Sequence, residues 1–98
     1  MTIQMRKEDT SLSLALEGRL DTTTAPQLEA ELKSNLDGVT DLTLDLDKLE
    51  YLSSAGLRVL LSAQKIMARQ GAMTVTHVNE TIQEIFEITG FADILTIA

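Results

Sequence analysis

Two adjacent serines, Ser53 and Ser54, separate a run of alternating leucines from a run with helical spacing. The leucines over residues 42–46 predict a strand, and residues 57–67 predict a helix. Helix N-termini carry unpaired backbone N–H groups and a partial positive charge, which favour capping side chains and anions. Either serine is therefore a good candidate for the N-cap. A hydroxyl here is also a candidate phosphate acceptor, and the spacing alone leaves both roles open.

Small residues follow these serines, since Ala55 and Gly56 come before Leu57. A glycine in the first turn of a helix has no side chain to cover the backbone. We therefore expect Gly56 to let another molecule approach the chain at this point.

The sequence offers little machinery for catalysis. It has no cysteine and one histidine, His77, and it contains no phosphate-binding loop, dinucleotide fingerprint or nucleophile elbow. A serine triad would require His77 beside one of the two serines, and nothing in the pattern supports that arrangement. The alternative that would make the chain an enzyme is a divalent-metal site built from Asp21, Asp45 and Asp47. A catalyst supplied by another protein fits better, so we expect no catalytic residue, no metal and no cofactor.

Length, charge and apolar content limit the expected partners and the expected cellular location of the protein. The chain has 98 residues, which suits one domain over 1–98, and its net charge is -7. This charge argues against nucleic acid and anionic membranes, and it favours a partner with a basic face. No apolar run is long enough to cross a bilayer, so we expect a cytoplasmic location without membrane insertion.

Apolar periodicity predicts the element order β-β-α-β-α-β-α. The predicted elements are strands near 2–7 and 12–17, a helix with Thr24 as its N-cap and Pro26 in its first turn, a strand over 42–46, a helix over 55–70, a strand over 73–78 and a helix that Asn79 caps and Gly90 ends. Gly18 is expected to end the second strand, and Ile82, Ile85, Phe86 and Ile88 are expected to form the apolar side of the last helix. The tail over 94–97 is either a small strand or a helical turn.

The predicted fold is a mixed α/β sheet of about four to five strands with its helices packed mainly on one face. Two strand–helix–strand units imply right-handed crossovers and parallel pairing. The strands alternate between apolar and polar residues, which a parallel sheet buried on both faces would not do. The other face, with residues such as Thr43, Asp45 and Thr74, is expected to be more polar.

Two segments together resemble a STAS domain, and more narrowly the bacterial anti-sigma factor antagonists. They are Leu49–Leu57, which reads LEYLSSAGL, and Gly18–Asp21, which reads GRLD. The family motif usually reads Asp-Ser-Ser/Thr-Gly-Leu, with its first serine phosphorylated. Alignment on Gly56 and Leu57 implies that Ser54 is the phosphoacceptor, with Ser53 replacing the usual aspartate as a rival acceptor.

The resemblance also implies which residues bind the partner. Ala55 occupies the place of the second Ser/Thr, and Asp21 matches the family's aspartate in the loop before the first helix, near the phosphorylation site. The implied partner-binding residues are Asp21, Ser53, Ser54, Ala55, Gly56 and Leu57.

The function that the resemblance implies is partner switching in transcription regulation. The unphosphorylated antagonist binds an anti-sigma factor that is also a serine kinase with a GHKL-type ATP site, and the sigma factor is released. Phosphorylation at Ser54 ends this binding, and a metal-dependent serine phosphatase restores it. The free protein is expected to be a monomer. The alternative is a non-switching STAS subunit of a larger assembly, such as a lipid-transport ATPase complex, with which the Ala55-Gly56-Leu57 form of the motif is compatible.

Overall fold

The computed structural model describes residues 1–98 and has the predicted order of strands and helices. The strands are β1 (Thr2–Glu8), β2 (Ser11–Leu20), β3 (Asp41–Leu52) and β4 (Ala72–Thr76); the helices are α1 (Ala25–Asn35), α2 (Ser54–Gln70) and α3 (Glu80–Thr89), and a 3₁₀ turn covers Phe91–Asp93. None of the helices has the length and apolar character needed to cross a membrane.

The four strands form one mixed sheet in the order β1-β2-β3-β4. β1 and β2 are antiparallel, whereas β2, β3 and β4 are parallel to one another. The carboxyl ends of β2 and β3 therefore meet at one edge of the sheet. This edge is where the loop before α1 and the start of α2 come together.

The core lies on one face of the sheet, as the alternation of leucines predicts. Leu14 of β2 and Leu44 of β3 are fully buried, and buried residues of all three helices join them in one apolar cluster. On the other face Thr43, Asp45 and Thr74 are only half-buried. The prediction of a mixed sheet with helices on one face is confirmed.

β2 and β3 both run further than the sequence analysis predicts. The expectation that Gly18 ends β2 is wrong: Gly18 lies inside the strand with φ +102°, and Leu20 still pairs with Leu52. The register between β2 and β3 shifts at Ala15/Glu17 and at Gly18/Arg19. Such bulges interrupt the period of two, which is why the alternating pattern appears to stop near residue 46.

At the last helix the structure confirms the predicted ends and contradicts part of the predicted apolar side. Asn79 caps α3 and Gly90 ends it, as predicted. However, the expectation that Ile88 belongs to the apolar side of α3 is wrong, because its side chain is 85% exposed while Ile82 and Phe86 are buried. In the tail the strand alternative is the nearer one, since Ile97 forms an isolated parallel bridge with Val75, whereas the 3₁₀ turn ends at Asp93, before the tail begins.

Candidate functional site

Ser53 and Ser54 have different roles at the junction of β3 and α2. Ser53 is the N-cap, with an extended backbone (φ -93°, ψ 174°), and its Oγ accepts a hydrogen bond from the Gly56 N–H at 3.4 Å. Ser54 is the first residue of α2, and its side chain is exposed and takes no part in the cap. The pattern of residue types leaves the capping serine undecided, and the structure assigns it to Ser53.

The end of β2 holds this junction in place. The Ser53 N–H donates to the Leu20 carbonyl at 2.9 Å, so the loop that begins at Asp21 lies beside the start of α2. The structure therefore brings Asp21 into the neighbourhood of the two serines, as the sequence analysis expects.

The Asp21 carboxylate is occupied by its own loop. Its Oδ1 accepts hydrogen bonds from the Thr23 hydroxyl at 2.8 Å, the Thr23 N–H at 3.0 Å and the Thr24 N–H at 3.2 Å. The Thr23 hydroxyl contributes most to lowering the pKa of Asp21 below its usual range, and the backbone N–H groups of Thr23 and Thr24 add to this. Asp21 is therefore a fixed anion that orders the loop.

Thr24 occupies the N-cap position of α1, but its side chain does not cap the helix. Its Oγ1 makes no capping hydrogen bond; it donates to the Arg19 carbonyl at 2.8 Å and accepts from the Asp21 N–H at 2.9 Å. The sequence-based expectation that Thr24 caps α1 is thus wrong with respect to its hydroxyl, because the loop uses this group to connect its two ends.

Arg19 and Tyr51 form a pair that sequence reasoning did not identify. They are register partners in β2 and β3, and the Arg19 guanidinium lies 4.3 Å from the centroid of the Tyr51 ring. The Arg19 Nε is also 3.8 Å from the Asp21 Oδ2. A cation–π contact of this kind needs the strand register. That register depends on the bulge, so the residue pattern contains no direct signal for the pair.

Gly56 and Leu57 face the protein core. A Cβ atom on Gly56 would lie 2.7 Å from Leu20 Cγ and 2.7 Å from Leu52 Cδ1. The expectation that Gly56 opens the backbone to another molecule is wrong, because its free side is filled by these two leucines. Leu57 is buried and Ala55 is half-buried. These residues therefore fix the position of Ser54, whose own side chain faces outward.

The carboxylates proposed as an alternative metal site do not form a metal-binding cluster. The structure contains no group of three or more His, Asp and Glu side chains arranged to hold a metal ion. Asp45 instead lies on the half-exposed face of the sheet, where its Oδ1 is 3.2 Å from His77 Nδ1. His77 is thus engaged with Asp45 and is an exposed residue just after β4.

A wide surface concavity is also separate from the two serines. It has a volume of about 630 Å³, and one of its nine lining residues is hydrophobic. Glu17, Asp47 and Glu50 of the β2–β3 bulge and Asn79 at the start of α3 contribute to it. A polar, acidic hollow of this kind lacks the apolar lining typical of small-molecule sites.

Comparisons with known proteins agree with this fold. A family model described as "Mlab, STAS domain" matches residues 3–96. BtrV of Bordetella bronchiseptica, provisionally named an anti-sigma factor antagonist, is 41% identical over 100% of this chain and 86% of its own. The anti-sigma-B factor antagonist of Bacillus subtilis is 25% identical over 100% of this chain and 91% of its own.

A solved structure supports the same fold. The anti-sigma factor antagonist SpoIIAA of Bacillus, in its unphosphorylated form, matches with a TM-score of 0.85 over 99% of this chain and 88% of its own, at 19% identity. Both the family model and the identity to BtrV extend over nearly the whole sequence. The chain therefore belongs to the STAS domain family, among relatives named as anti-sigma factor antagonists.

Proposed function

We propose that this protein is an anti-sigma factor antagonist that works by partner switching, with Ser54 as its phosphoacceptor. In the unphosphorylated form it binds an anti-sigma factor that is also a GHKL-type serine kinase, and this binding releases a sigma factor. Phosphorylation of Ser54 ends the binding, and a metal-dependent serine phosphatase reverses it. The setting is the cytoplasm, and residues 1–98 act as a single STAS domain.

The proposal rests mainly on the different roles of Ser53 and Ser54. Ser53 is committed to capping α2, whereas the Ser54 hydroxyl is exposed and uncommitted at the same helix terminus. A phosphate on Ser54 would face the positive end of the helix dipole, so the fold tolerates it. The added charge of about -1.5 to -2 then acts on the surface where the partner docks.

The chemistry requires a partner enzyme. In the kinase, the Ser54 Oγ attacks the γ-phosphorus of ATP, the bond to the β–γ bridging oxygen breaks, and ADP leaves. The hydroxyl proton passes to a base of the kinase, since no base of this chain hydrogen bonds Ser54. The protein thus supplies the substrate side chain, and we expect no hydrolysis of ATP or GTP by the purified chain. Reproducible hydrolysis that is lost in Asp21→Asn would contradict this.

Partner binding centres on the exposed parts of the junction. Ser54 and the loop around Asp21 present polar groups at one edge of the sheet. Ser53 and Ala55 are half-buried beside them, while Gly56 and Leu57 contribute from within by holding the first turn of α2 in position. A charge added in the middle of such a surface must be desolvated or repelled on docking, which weakens the complex.

The acceptor assignment is tested by mass spectrometry after incubation with the cognate kinase and ATP. We expect one phosphate on Ser54 in the wild type and in Ser53→Ala, and none in Ser54→Ala. Phosphate on Ser53, or unchanged incorporation in Ser54→Ala, would overturn the assignment.

A second candidate function follows from the description of the matching family model, "Mlab, STAS domain", and from Ala55 in place of a hydroxyl residue. In that case the chain is a constitutive subunit of an assembly such as a lipid-transport ATPase. Affinity purification from the native cells distinguishes the two functions. A stable ATPase subunit without kinase activity would favour the second, and a serine kinase that dissociates after ATP is added would favour the first.

A further inference from the structure

Helix α2 is the basic element of an acidic protein. The chain has a net charge of -7, yet Ser54–Gln70 contains Arg58, Lys65 and Arg69 and no aspartate or glutamate. All three cationic residues are exposed. With Ser54 they lie at helical spacing along one stripe of the outer surface of α2.

Arg58 is the cation of this stripe that lies nearest to the phosphoacceptor. It follows Ser54 by four residues, so the two side chains are neighbours on one exposed face of the helix. Side chains on a helix lean toward its N-terminus, which directs the long Arg58 side chain toward Ser54.

Arg58 is also free of other charged partners. The ion pairs of the structure join Arg19 to Asp21 and Lys33 to Glu29, and Asp45 also contacts His77, so Arg58 takes part in none of them. Arg19, the other cation near the junction, is already engaged with Asp21 and with the Tyr51 ring. An unpaired guanidinium one turn from the acceptor hydroxyl is therefore available to a new anion.

We propose that Arg58 couples phosphorylation to partner release, binding a partner carboxylate while Ser54 is unmodified and pairing with the phosphate once Ser54 carries one. This inference rests on the proposed function. A guanidinium offers a planar fork of donors that fits carboxylate and phosphate equally well. The two anions compete for one cation, and the phosphate is held in the same helix.

The pairing changes what phosphorylation does to the interface. The net charge of -7 favours a partner with a basic face overall, but the part of the partner that docks on the basic stripe of α2 is acidic in this proposal, and added charge alone would repel it. Capture of Arg58 also removes the cation that this surface uses, so both effects act in the same direction. The elements that meet at this junction carry Arg58 on α2, Asp21 in the loop before α1, and Arg19 on β2, which pairs with Asp21 and contacts Tyr51 on β3. Asp21 disfavours the dianionic phosphate, and Arg58 is the unpaired group that favours it.

The first test measures the phosphate directly and needs no partner. Protein carrying phosphoserine at 54, introduced during translation, is titrated by ³¹P NMR in the Arg58→Gln and Arg69→Gln backgrounds and without either change. We expect Arg58→Gln to raise the second pKa of the phosphate by about 0.2–0.4 units, the size that an (i, i+4) ion pair implies. Arg69→Gln, which removes the same charge three turns further along, should leave it unchanged. Equal pKa values in all three proteins would overturn the pairing.

The second test measures binding of the unphosphorylated variants to the anti-sigma factor kinase. Arg58→Gln should bind at least about tenfold more weakly than Arg69→Gln, because truncating one member of a docked charge pair leaves the other unpaired. Arg58→Lys should recover part of the affinity. If Arg58→Gln binds and releases the kinase like the wild type, the Arg58 inference fails while partner switching stands. If the wild type binds equally before and after phosphorylation, the proposed function itself fails.

Discussion

The first turns of α2 and α3 begin with the same capping geometry. Ser53 and Asn79 are both extended N-caps, with ψ 174° and 171°, and each side chain accepts from the N–H three residues later. That N–H belongs to Gly56 in α2 and to Ile82 in α3. Gly56 leaves room for two leucines, whereas Ile82 is fully buried and itself fills the core.

The two turns differ in which side-chain groups remain free of hydrogen bonds and in which charges lie beside them. Asn79 also donates from Nδ2 to the Leu49 carbonyl at 2.7 Å, so its side chain is bonded on both sides. α3 then continues with Glu80 and Glu84, one turn apart, where α2 has Ser54 and Arg58. A phosphate at the start of α3 would meet a carboxylate, and at the start of α2 it meets a guanidinium. Capping alone therefore does not distinguish the two turns; in the proposal, the uncommitted hydroxyl of α2 and the cation one turn later make it the switch site.

The largest effect is expected where the core is tightest. Gly56→Val should destabilise the protein by about 3 kcal/mol or more, at the upper end of overpacking costs, because its side chain would overlap Leu20 and Leu52. The matched change in α3, Ile82→Val, removes one methylene and should cost about 0.5–1.5 kcal/mol. Urea denaturation of both variants measures this difference. Equal losses would show that the first turn of α2 has space to spare.

The two caps should also differ in strength. Asn79→Ala removes a cap and leaves the Leu49 carbonyl without its donor, at a combined cost of about 2–3 kcal/mol. Ser53→Ala removes one long hydrogen bond and should cost about 0.5–1 kcal/mol. The midpoints of chemical denaturation rank the two variants. A larger loss in Ser53→Ala would contradict the structural role given to Asn79.

Substitution of Ser54 should separate binding from stability. Aspartate suits the start of a helix, so Ser54→Asp should melt like the wild type yet bind the anti-sigma factor about tenfold more weakly, or ~1.4 kcal/mol. Ser54→Ala should retain both fold and binding, because Ser53 is the cap. Calorimetry and thermal melts measure the two properties. Glu80→Gln at the start of α3 is the control, and an equal loss of affinity there would remove the distinction between the two turns.

The smallest effect concerns the loop beside the site. The folded state lowers the pKa of Asp21, so its contribution to stability is present above the unfolded value of about 3.9 and is lost as the pH falls through the folded pKa. Asp21→Asn should therefore be less stable than the wild type at neutral pH, with a gap that closes in acid. Melting curves at pH 7 and pH 3 measure the gap. A gap of constant size would mean that the ionised form of Asp21 has no special role.

Much of this arrangement could be predicted from residue types. The element order, the mixed sheet and the cap at Asn79 depend on local periodicity and on short polar side chains before helices, which are signals that a single sequence carries. The proximity of Asp21 to the serines followed from the resemblance to STAS domains. The structure supports it through the hydrogen bond between Ser53 and Leu20.

The features that escaped prediction depend on tertiary context. The bulges of β2 and β3 interrupt the alternation on which strand prediction relies, so the strands appeared to end early. A glycine occurs both where the backbone is open to solvent and where neighbouring side chains leave no room for a Cβ atom. At Gly56 the second case holds, and only the positions of Leu20 and Leu52 show it. Ile88 is a different case, because at about 100° per residue it lies on the opposite side of α3 from the buried Phe86, two residues earlier.

The central claim is that a phosphate on Ser54 switches binding, and calorimetry with the cognate anti-sigma factor kinase tests it most directly. Unmodified protein and protein carrying phosphoserine at 54 are titrated under identical conditions, with a non-hydrolysable ATP analogue present. We expect the phosphorylated form to bind at least about tenfold more weakly, ~1.4 kcal/mol, while its thermal stability is unchanged. Equal affinity of the two forms would overturn the phosphorylation switch and would favour a constitutive subunit.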